Sequence, residues 1–161
     1  RFDFDFWFGT LYNRFCAQAV TGYPLTIYGK GGQTRGYISL EDTAQTLVLA
    51  VEKPAEEGEF RVINMFVETV SVREAAEKVR AAGAKVGLEV QVMTVPPPRP
   101  EALEHYYNPE NRKLFEVLGL RPNYTVEKAL PEDLEVLMGV KDRILAKKDK
   151  FLPKEFRAER G

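Results

Sequence analysis

Only four short stretches of this chain read as strands, and their scarcity limits the architecture more than any other feature. LTIY at residues 25–28, GYISL at 36–40, FRVIN at 60–64 and VQVMTV at 90–95 are each separated by helical patterns or loops. VQVMTV runs into Pro96, Pro97 and Pro98, which have no N–H to give and forbid further ladder pairing. FRVIN has little polar alternation, as expected of a strand covered on both faces. Helices interleaved with strands indicate an α/β protein, yet these strands are too few for a complete doubly wound sheet. The first half of such a fold is therefore expected outside this sequence. The chain also begins at Arg1 rather than a methionine, so its natural N-terminus is expected upstream.

The helices announce themselves by spacing and caps. The pattern over residues 7–21 predicts a helix with Leu11, Phe15, Ala19 and Val20 on one side and Gly22 as its stop. Ser39 and Asp42 have capping-box spacing, and Ala44, Leu47, Val48 and Val51 form an apolar stripe that predicts a helix running to Pro54. Ser71 and Glu74 open another, with Val72, Ala75, Ala76 and Val79 as its stripe and Gly83 as its end. Asn108 and Pro109 predict a helix start that lasts to about Gly119. A last helical region begins at Thr125, where Pro131 is expected to kink or restart it. Residues 1–146 form the organised region, and 147–161 are expected to be a polar, frayed tail.

Composition removes several classes of function. With 23 basic and 24 acidic residues the chain is nearly neutral, which gives wholesale nucleic-acid binding no electrostatic support. One cysteine and one histidine exclude an internal disulfide and argue against a structural zinc site. A cytoplasmic or other reducing location fits best. No apolar run approaches the roughly 18 residues of a membrane span, and no signal peptide is recognisable.

The stretch YGKGGQTRGY, residues 28–37, carries four glycines and two cations between short apolar runs. Bare backbone N–H groups and an arginine fork are the ordinary means of holding phosphate. No G-x-G-x-x-G or G-x-x-x-x-G-K-[ST] occurs here, however. From these residues alone a hairpin-like connection with a solvated arginine is the favoured reading.

FGTLYNRF, PLTIYGKGGQTRGY, EFRVIN and MTVPPPRPEALEHYYN, in this order, resemble the C-terminal part of the UDP-sulfoquinovose synthase family. That family is an NAD-dependent branch of the extended short-chain dehydrogenase/reductase group, related to nucleotide-sugar epimerases and dehydratases. Y-G-x-G-x-x-x-R is shared by the whole group, whereas GKGGQTRGY together with RPEALEHYYN is narrower. The resemblance covers residues 1–143. It implies an α/β fold, the C-terminal substrate-binding part of a Rossmann-type extended enzyme, with the dinucleotide-binding half and its Thr, Tyr and Lys catalytic set outside this chain. Tyr124 and Lys128 match Y-x-x-x-K nominally, but they open the terminal helix and read as a chance match. FDFD at the start departs from the family, which more often has a tyrosine between the two aspartates.

The resemblance also assigns residues. Thr26, Ile27 and Tyr28 would form a strand edge pairing with uracil; Arg35 and Arg99 would grip the pyrophosphate, with Gln33 beside it; and Glu101 would accept from a ribose hydroxyl. Two guanidinium groups on one diphosphate would neutralise most of its charge. Thr10 falls where the group places a polar contact at a helix start, and a capping threonine explains it equally well. R-P-E, read without the family, is an exposed charged turn. His105 reads as structural, Cys16 as a packed thiol, and Asp3 and Asp5 as lining an entrance or packing on another part of the fold. The intact family enzyme would use UDP-glucose, sulfite and NAD for sulfolipid or sulfosugar synthesis, as a homodimer. NAD oxidises the sugar at C4, water leaves C6, sulfite adds there and hydride returns. This chain would contribute grip and orientation, with no catalytic residue of its own.

Overall fold

The computed structural model describes residues 3–5, 9–97 and 107–157. In chain order its elements are α1 (Leu11–Thr21), β1 (Leu25–Tyr28), β2 (Thr34–Tyr37), α2 (Leu40–Glu52), β3 (Glu68–Ser71), α3 (Val72–Lys85), β4 (Val92–Val95), α4 (Arg112–Glu116), α5 (Val126–Met138), α6 (Lys141–Leu145), a 3₁₀ turn (Lys148–Lys150) and α7 (Lys154–Arg157). They divide into two compact units, one of residues 1–33, 71–104 and 130–161, the other of 34–70 and 105–129.

The first unit is organised on β1 and β4, which pair in parallel with Leu25 opposite Val92 and Tyr28 opposite Val95. Helix α1 begins at Leu11, after a Thr10 cap, rather than at 7; residues 6–8 lie outside the described set. Its sequence is apolar or small on nearly every side, and Phe15, Cys16, Ala17, Ala19 and Val20 are all buried. Gly22 closes it at φ +76°, as expected of a left-handed cap. Helix α3 packs on α1 and β1 through Ala75, Ala76, Val79 and Ala82, side chains short enough to allow close approach. Ser71 and Glu74 make both halves of the predicted capping box.

Further expectations for this unit are corrected. Helix α3 continues past Gly83 to Lys85. Gly83 is a contact rather than a stop, because a Cβ there would lie 2.6 Å from Val90 Cγ2. The segment after 147 does not trail away: Phe151 and Leu152 are fully buried, and the Phe151 ring meets Phe4 edge-on at 5.5 Å. Two apolar anchors outweigh the polar residues around them. Helix α5 runs unbroken through Pro131, whose missing N–H costs one bond near the helix start.

The second unit contains the pair β2 and β3 and a core of Leu114, Leu118 and Leu120, against which Ile38, Leu49, Ile63 and Met65 pack. Strand β2 covers 34–37 rather than 36–40. The expected stripe of α2 faces outward: Leu47 is 58% exposed and Val51 81%, while Asp42 and Thr46 are buried. The cause is local. Asp42 Oδ1 accepts from the Asn123 N–H (3.1 Å) and Thr46 Oγ1 donates to the Asp42 carbonyl (2.7 Å), so the polar side has the partners. FRVIN is likewise corrected. It joins no ladder among the described residues, with Ile63 half-buried and Phe60, at 92% exposed, outward. Helix α4 starts at Arg112, not Asn108; the Asn111 amide is spent on the Phe66 carbonyl (2.8 Å). Gly119, φ +77°, ends that stretch as expected.

Candidate functional site

Helix α1 carries a polar stripe through an otherwise apolar element. Thr10, Arg14 and Gln18 recur every four residues and therefore share one face. Thr10 accepts from the Asn13 N–H on its Oγ1 (3.2 Å), the geometry of a cap. One turn on, Arg14 Nη1 donates to Thr26 Oγ1 (2.9 Å). Another turn on, Gln18 Nε2 donates to the same oxygen (2.8 Å) and to the Phe151 carbonyl (3.3 Å), and Gln18 Oε1 accepts from the Thr26 N–H (3.1 Å). Gln18 is fully buried and every polar end of its amide is occupied.

These bonds fix which way β1 faces. The Leu25 N–H donates to the Gln91 carbonyl (2.8 Å) and the Gly29 N–H to the Val95 carbonyl (3.1 Å). Along a parallel ladder residues 25, 27 and 29 therefore point toward β4. Thr26 and Tyr28 point away, and the bond from Thr26 N–H to Gln18 agrees. The backbone of Ile27 is thus turned into the ladder and its side chain is fully buried. Of the three strand residues expected to form an edge, Thr26 and Tyr28 supply it. The Thr26 carbonyl and the Tyr28 N–H have no hydrogen-bond partner among the described residues. An acceptor and a donor so placed on a strand edge can pair with any flat heterocycle offering the complementary order.

The Arg14 guanidinium lies over this edge, 4.9 Å from the Tyr28 ring centroid and 5.1 Å from that of Phe15. Burial lowers its pKa below the ordinary arginine value, and Tyr28 partly restores it. It stays a cation, since arginine does not deprotonate in proteins. No carboxylate among the described residues pairs with it.

The glycine-rich loop follows the strand. Gly29 and Gly31 adopt φ +62° and +71°, and at Gly31 a Cβ would also sit 2.6 Å from Ile27 Cγ2. The loop is tied to the start of α3 by the Val72 N–H to the Gln33 carbonyl and the Arg73 N–H to the Gly31 carbonyl, both 3.0 Å. Gln33 Oε1 is buried without a hydrogen-bond partner among the described residues.

In the other unit, Arg35 stands exposed on β2, donating to the Thr34 carbonyl (2.6 Å) with its guanidinium 5.7 Å from the Tyr107 ring centroid. Tyr107 Oη in turn accepts from the Gly36 N–H (3.0 Å). Arg99, Glu101 and His105 lie outside the described residues.

Sequence reasoning missed Arg14 and Gln18. The available signal was a four-residue polar repeat inside a helix that is apolar all round. Cys16 is buried as expected, and burial pushes its thiol up to about 12. Among the described residues no group of three or more His, Cys, Asp or Glu could hold a metal, and no helix is long and apolar enough to cross a membrane.

No family model matches the chain. It is 53% identical over 144 residues to the chloroplastic UDP-sulfoquinovose synthase of Spinacia oleracea, covering 89% of this chain and 30% of the relative. It is 50% identical over 158 residues to the UDP-sulfoquinovose synthase of Sulfolobus acidocaldarius, covering 96% of this chain and 39% of the relative. The chain thus spans between three tenths and two fifths of the length of these curated relatives. A crystal structure of the UDP-glucuronic acid 4-epimerase of Bacillus cereus, in complex with UDP-4-deoxy-4-fluoro-glucuronic acid and NAD, superposes with a TM-score of 0.64 at 20% identity, covering 81% of this chain and 40% of that one. The α/β fold is accordingly that of the extended epimerase/dehydratase group.

Proposed function

Since the chain is homologous to the UDP-sulfoquinovose synthases along most of its length, we propose that it is the part of such an enzyme that binds the uridine nucleotide of UDP-glucose. The observation that carries this reading is the open edge of β1. Uracil presents an N–H between two carbonyls, so its N3–H would donate to the Thr26 carbonyl and an adjacent carbonyl would accept from the Tyr28 N–H. Thr26 has no exposed surface, so the base would reach its carbonyl only once the groups covering that edge move aside, and it would then supply a donor whose lack costs about 1–3 kcal/mol. By the family resemblance Gln33, Arg35 and Arg99 are proposed to receive the pyrophosphate, with Glu101 on the ribose and Thr10 at the helix start.

The residues present do not make a dinucleotide cradle. The loop after β1 leads to a strand, β3 passes straight into α3 through Ser71 with no glycine, and β4 runs into prolines. NAD, which supplies oxidation and reduction of the sugar, is therefore proposed to bind the remainder of the synthase, as is the sulfite chemistry. The exposed face of Leu47, Val48, Val51, Phe60 and Val62 is proposed to pack on that remainder, whose size is set by the 61–70% of the relatives' length that this chain does not match, the complement of 39% and 30%.

Calorimetric titration of the chain with UDP-glucose tests the binding role, with saturable binding expected and no heat at millimolar ligand counting against it. In the completed enzyme, UDP-glucose turnover should depend on sulfite; sulfite-independent turnover to an epimer would instead assign a general epimerase/dehydratase.

A further inference from the structure

We infer that Tyr107 is a positioning residue, whose phenol ring holds the Arg35 guanidinium in place for the diphosphate of the ligand. The inference rests on the proposed nucleotide reading, in which Arg35 receives the pyrophosphate, and deepens it.

An exposed arginine samples many rotamers, and ordering it when a ligand arrives subtracts from affinity. Arg35 is exposed on β2, and no carboxylate among the described residues pairs with it. Two other contacts restrain it. Its Nη1 donates to the Thr34 carbonyl (2.6 Å), and its guanidinium lies 5.7 Å from the Tyr107 ring centroid, within the range of a cation–π contact. A carboxylate would restrain the side chain too, but it would also cancel the charge. A carbonyl and a ring leave the cation, with the rest of its N–H donors, to an incoming anion.

The ring is fixed in its turn. Tyr107 Oη accepts from the N–H of Gly36 (3.0 Å), the residue next to Arg35, across 71 residues of sequence. Ring and guanidinium are thereby tied to the same point on β2. That point is itself held, because Gly36 presses on Phe66: a Cβ there would lie 2.7 Å from the ring. A tyrosine has only two side-chain torsions, so it restrains a neighbour at little entropic cost. Tyr37 shares the cluster. Burial raises its pKa, the Arg35 charge opposes that rise and Tyr107 adds to it, as expected of three side chains lying close together. Arg35, Gly36, Tyr37, Phe66 and Tyr107 all belong to the second unit, so the restraint is built within it. Arg35 lies in GKGGQTRGY and Tyr107 in RPEALEHYYN, and the two stretches meet at this guanidinium.

The test is titration of the full chain, followed by NMR, with UDP and separately with uridine. The samples are the parent, Tyr107→Leu, Tyr107→Phe, Arg35→Met, and Tyr107→Leu combined with Arg35→Met. A cation–π contact at an exposed site corresponds to as much as about fivefold in affinity. Tyr107→Leu should lose UDP affinity by about that factor while uridine, which has no phosphate for Arg35 to meet, stays within about twofold. Tyr107→Phe keeps the ring and should recover most of the loss. With methionine at position 35, removing the ring should change UDP affinity by less than about twofold. Tyr107→Met replaces the Leu variant if that one fails to fold. A ringless variant that binds UDP like the parent overturns the inference. So do equal losses for UDP and uridine, or a loss that simply adds to that of Arg35→Met, either of which would mark the ring as structural support alone. A parent that binds uridine as tightly as UDP takes Arg35 away from the diphosphate, and one that binds neither defeats the nucleotide reading itself; both outcomes are read from the parent and so are separate from a failed Tyr107 effect.

Discussion

Replacing Gln18 with leucine should destabilise the first unit more than any other single polar change there. Leucine has nearly the same volume, so the cavity term is small, and the cost comes from hydrogen bonds. Two backbone groups would lose their partner. The Thr26 N–H would face a methyl where it now donates to Oε1 at 3.1 Å, and the Phe151 carbonyl would lose its donor at 3.3 Å. Both residues are fully buried, so water cannot substitute. Thr26 Oγ1 is less affected because Arg14 still reaches it. At about 1–3 kcal/mol for each orphaned group the gross loss is about 2–6 kcal/mol. The gain from burying an alkyl group in place of an amide offsets about 1–2 of that, which leaves a net loss of about 1–4 kcal/mol. Against a total stability of about 5–15 kcal/mol this is easily measured by urea unfolding followed by far-ultraviolet circular dichroism. Thr26→Val should cost less, and the double variant should cost less than the two singles added together, because the residues share bonds. A Gln18→Leu loss below about 0.5 kcal/mol, or strict additivity with Thr26→Val, would refute the account of the amide as a clamp between α1, β1 and the C-terminal segment.

Three further outcomes follow from named contacts. Ending the chain after Lys147 removes Phe151 and Leu152, both fully buried, and at about 1.5–3 kcal/mol per side chain should lower stability by about 3–6 kcal/mol; an unchanged melting temperature would show that those anchors carry nothing. The Cys16 thiol, pushed up to about 12 by burial, should resist alkylation at pH 8 in the native state and react on denaturation, as mass spectrometry of iodoacetamide-treated samples would report. Glu59 is held down to about 2 by its hydrogen bond from Arg61, so its carboxylate signal should persist on acidification in carbon NMR after other carboxylates have shifted. Because its folded value lies below the unfolded one, any stability from the pair is present above about pH 4.5 and is lost as pH falls toward about 2. The surface position of the pair keeps that contribution small.

The legible parts of this fold are those fixed by neighbours in sequence. Ser39 and Ser71 cap their helices as their spacing predicts, Gly22 ends α1, and LTIY and the end of VQVMTV are strands, because each rests on a backbone bond or a φ value set within a few residues. The strand expected at 36–40 starts two residues earlier and ends three earlier, because Gly36 is where the chain needs closeness: a Cβ there would lie 2.7 Å from the Phe66 ring. Phe66 is thirty residues away, and no local pattern reports it. The burial of 151 and 152 was hidden in the same way, since two apolar residues in a polar segment do not reveal that Gln18 and Phe4 receive them. In the site, the motif pointed to β1, but which of its residues faces outward depends on the register with β4.

Helix α2 and the 60–64 segment raise the same question of register at larger scale. An amphipathic stripe states which residues share a face and leaves open what covers it. In α2 the buried side is Asp42 and Thr46, tied down by Asn123, and the apolar side is left outward. In 60–64 the inward residue Ile63 belongs to the Leu114 cluster, while Phe60 and Val62 face solvent. Solvent-exposed phenylalanine and valine stabilise nothing, and several of them close together in sequence, on a helix and on a segment that joins no ladder among the described residues, are suited to being covered. Under the proposed function both features have one cause: FRVIN has strand composition because it joins a sheet supplied by the rest of the synthase, and α2 has an apolar stripe because it packs across the same sheet. Phe60→Lys and Val51→Lys would separate this from chance. In the chain alone each should be neutral or improve solubility, since the residues touch little; in the completed synthase each should cost about 2 kcal/mol or more. Equal effects in both settings would leave the outward face without a role.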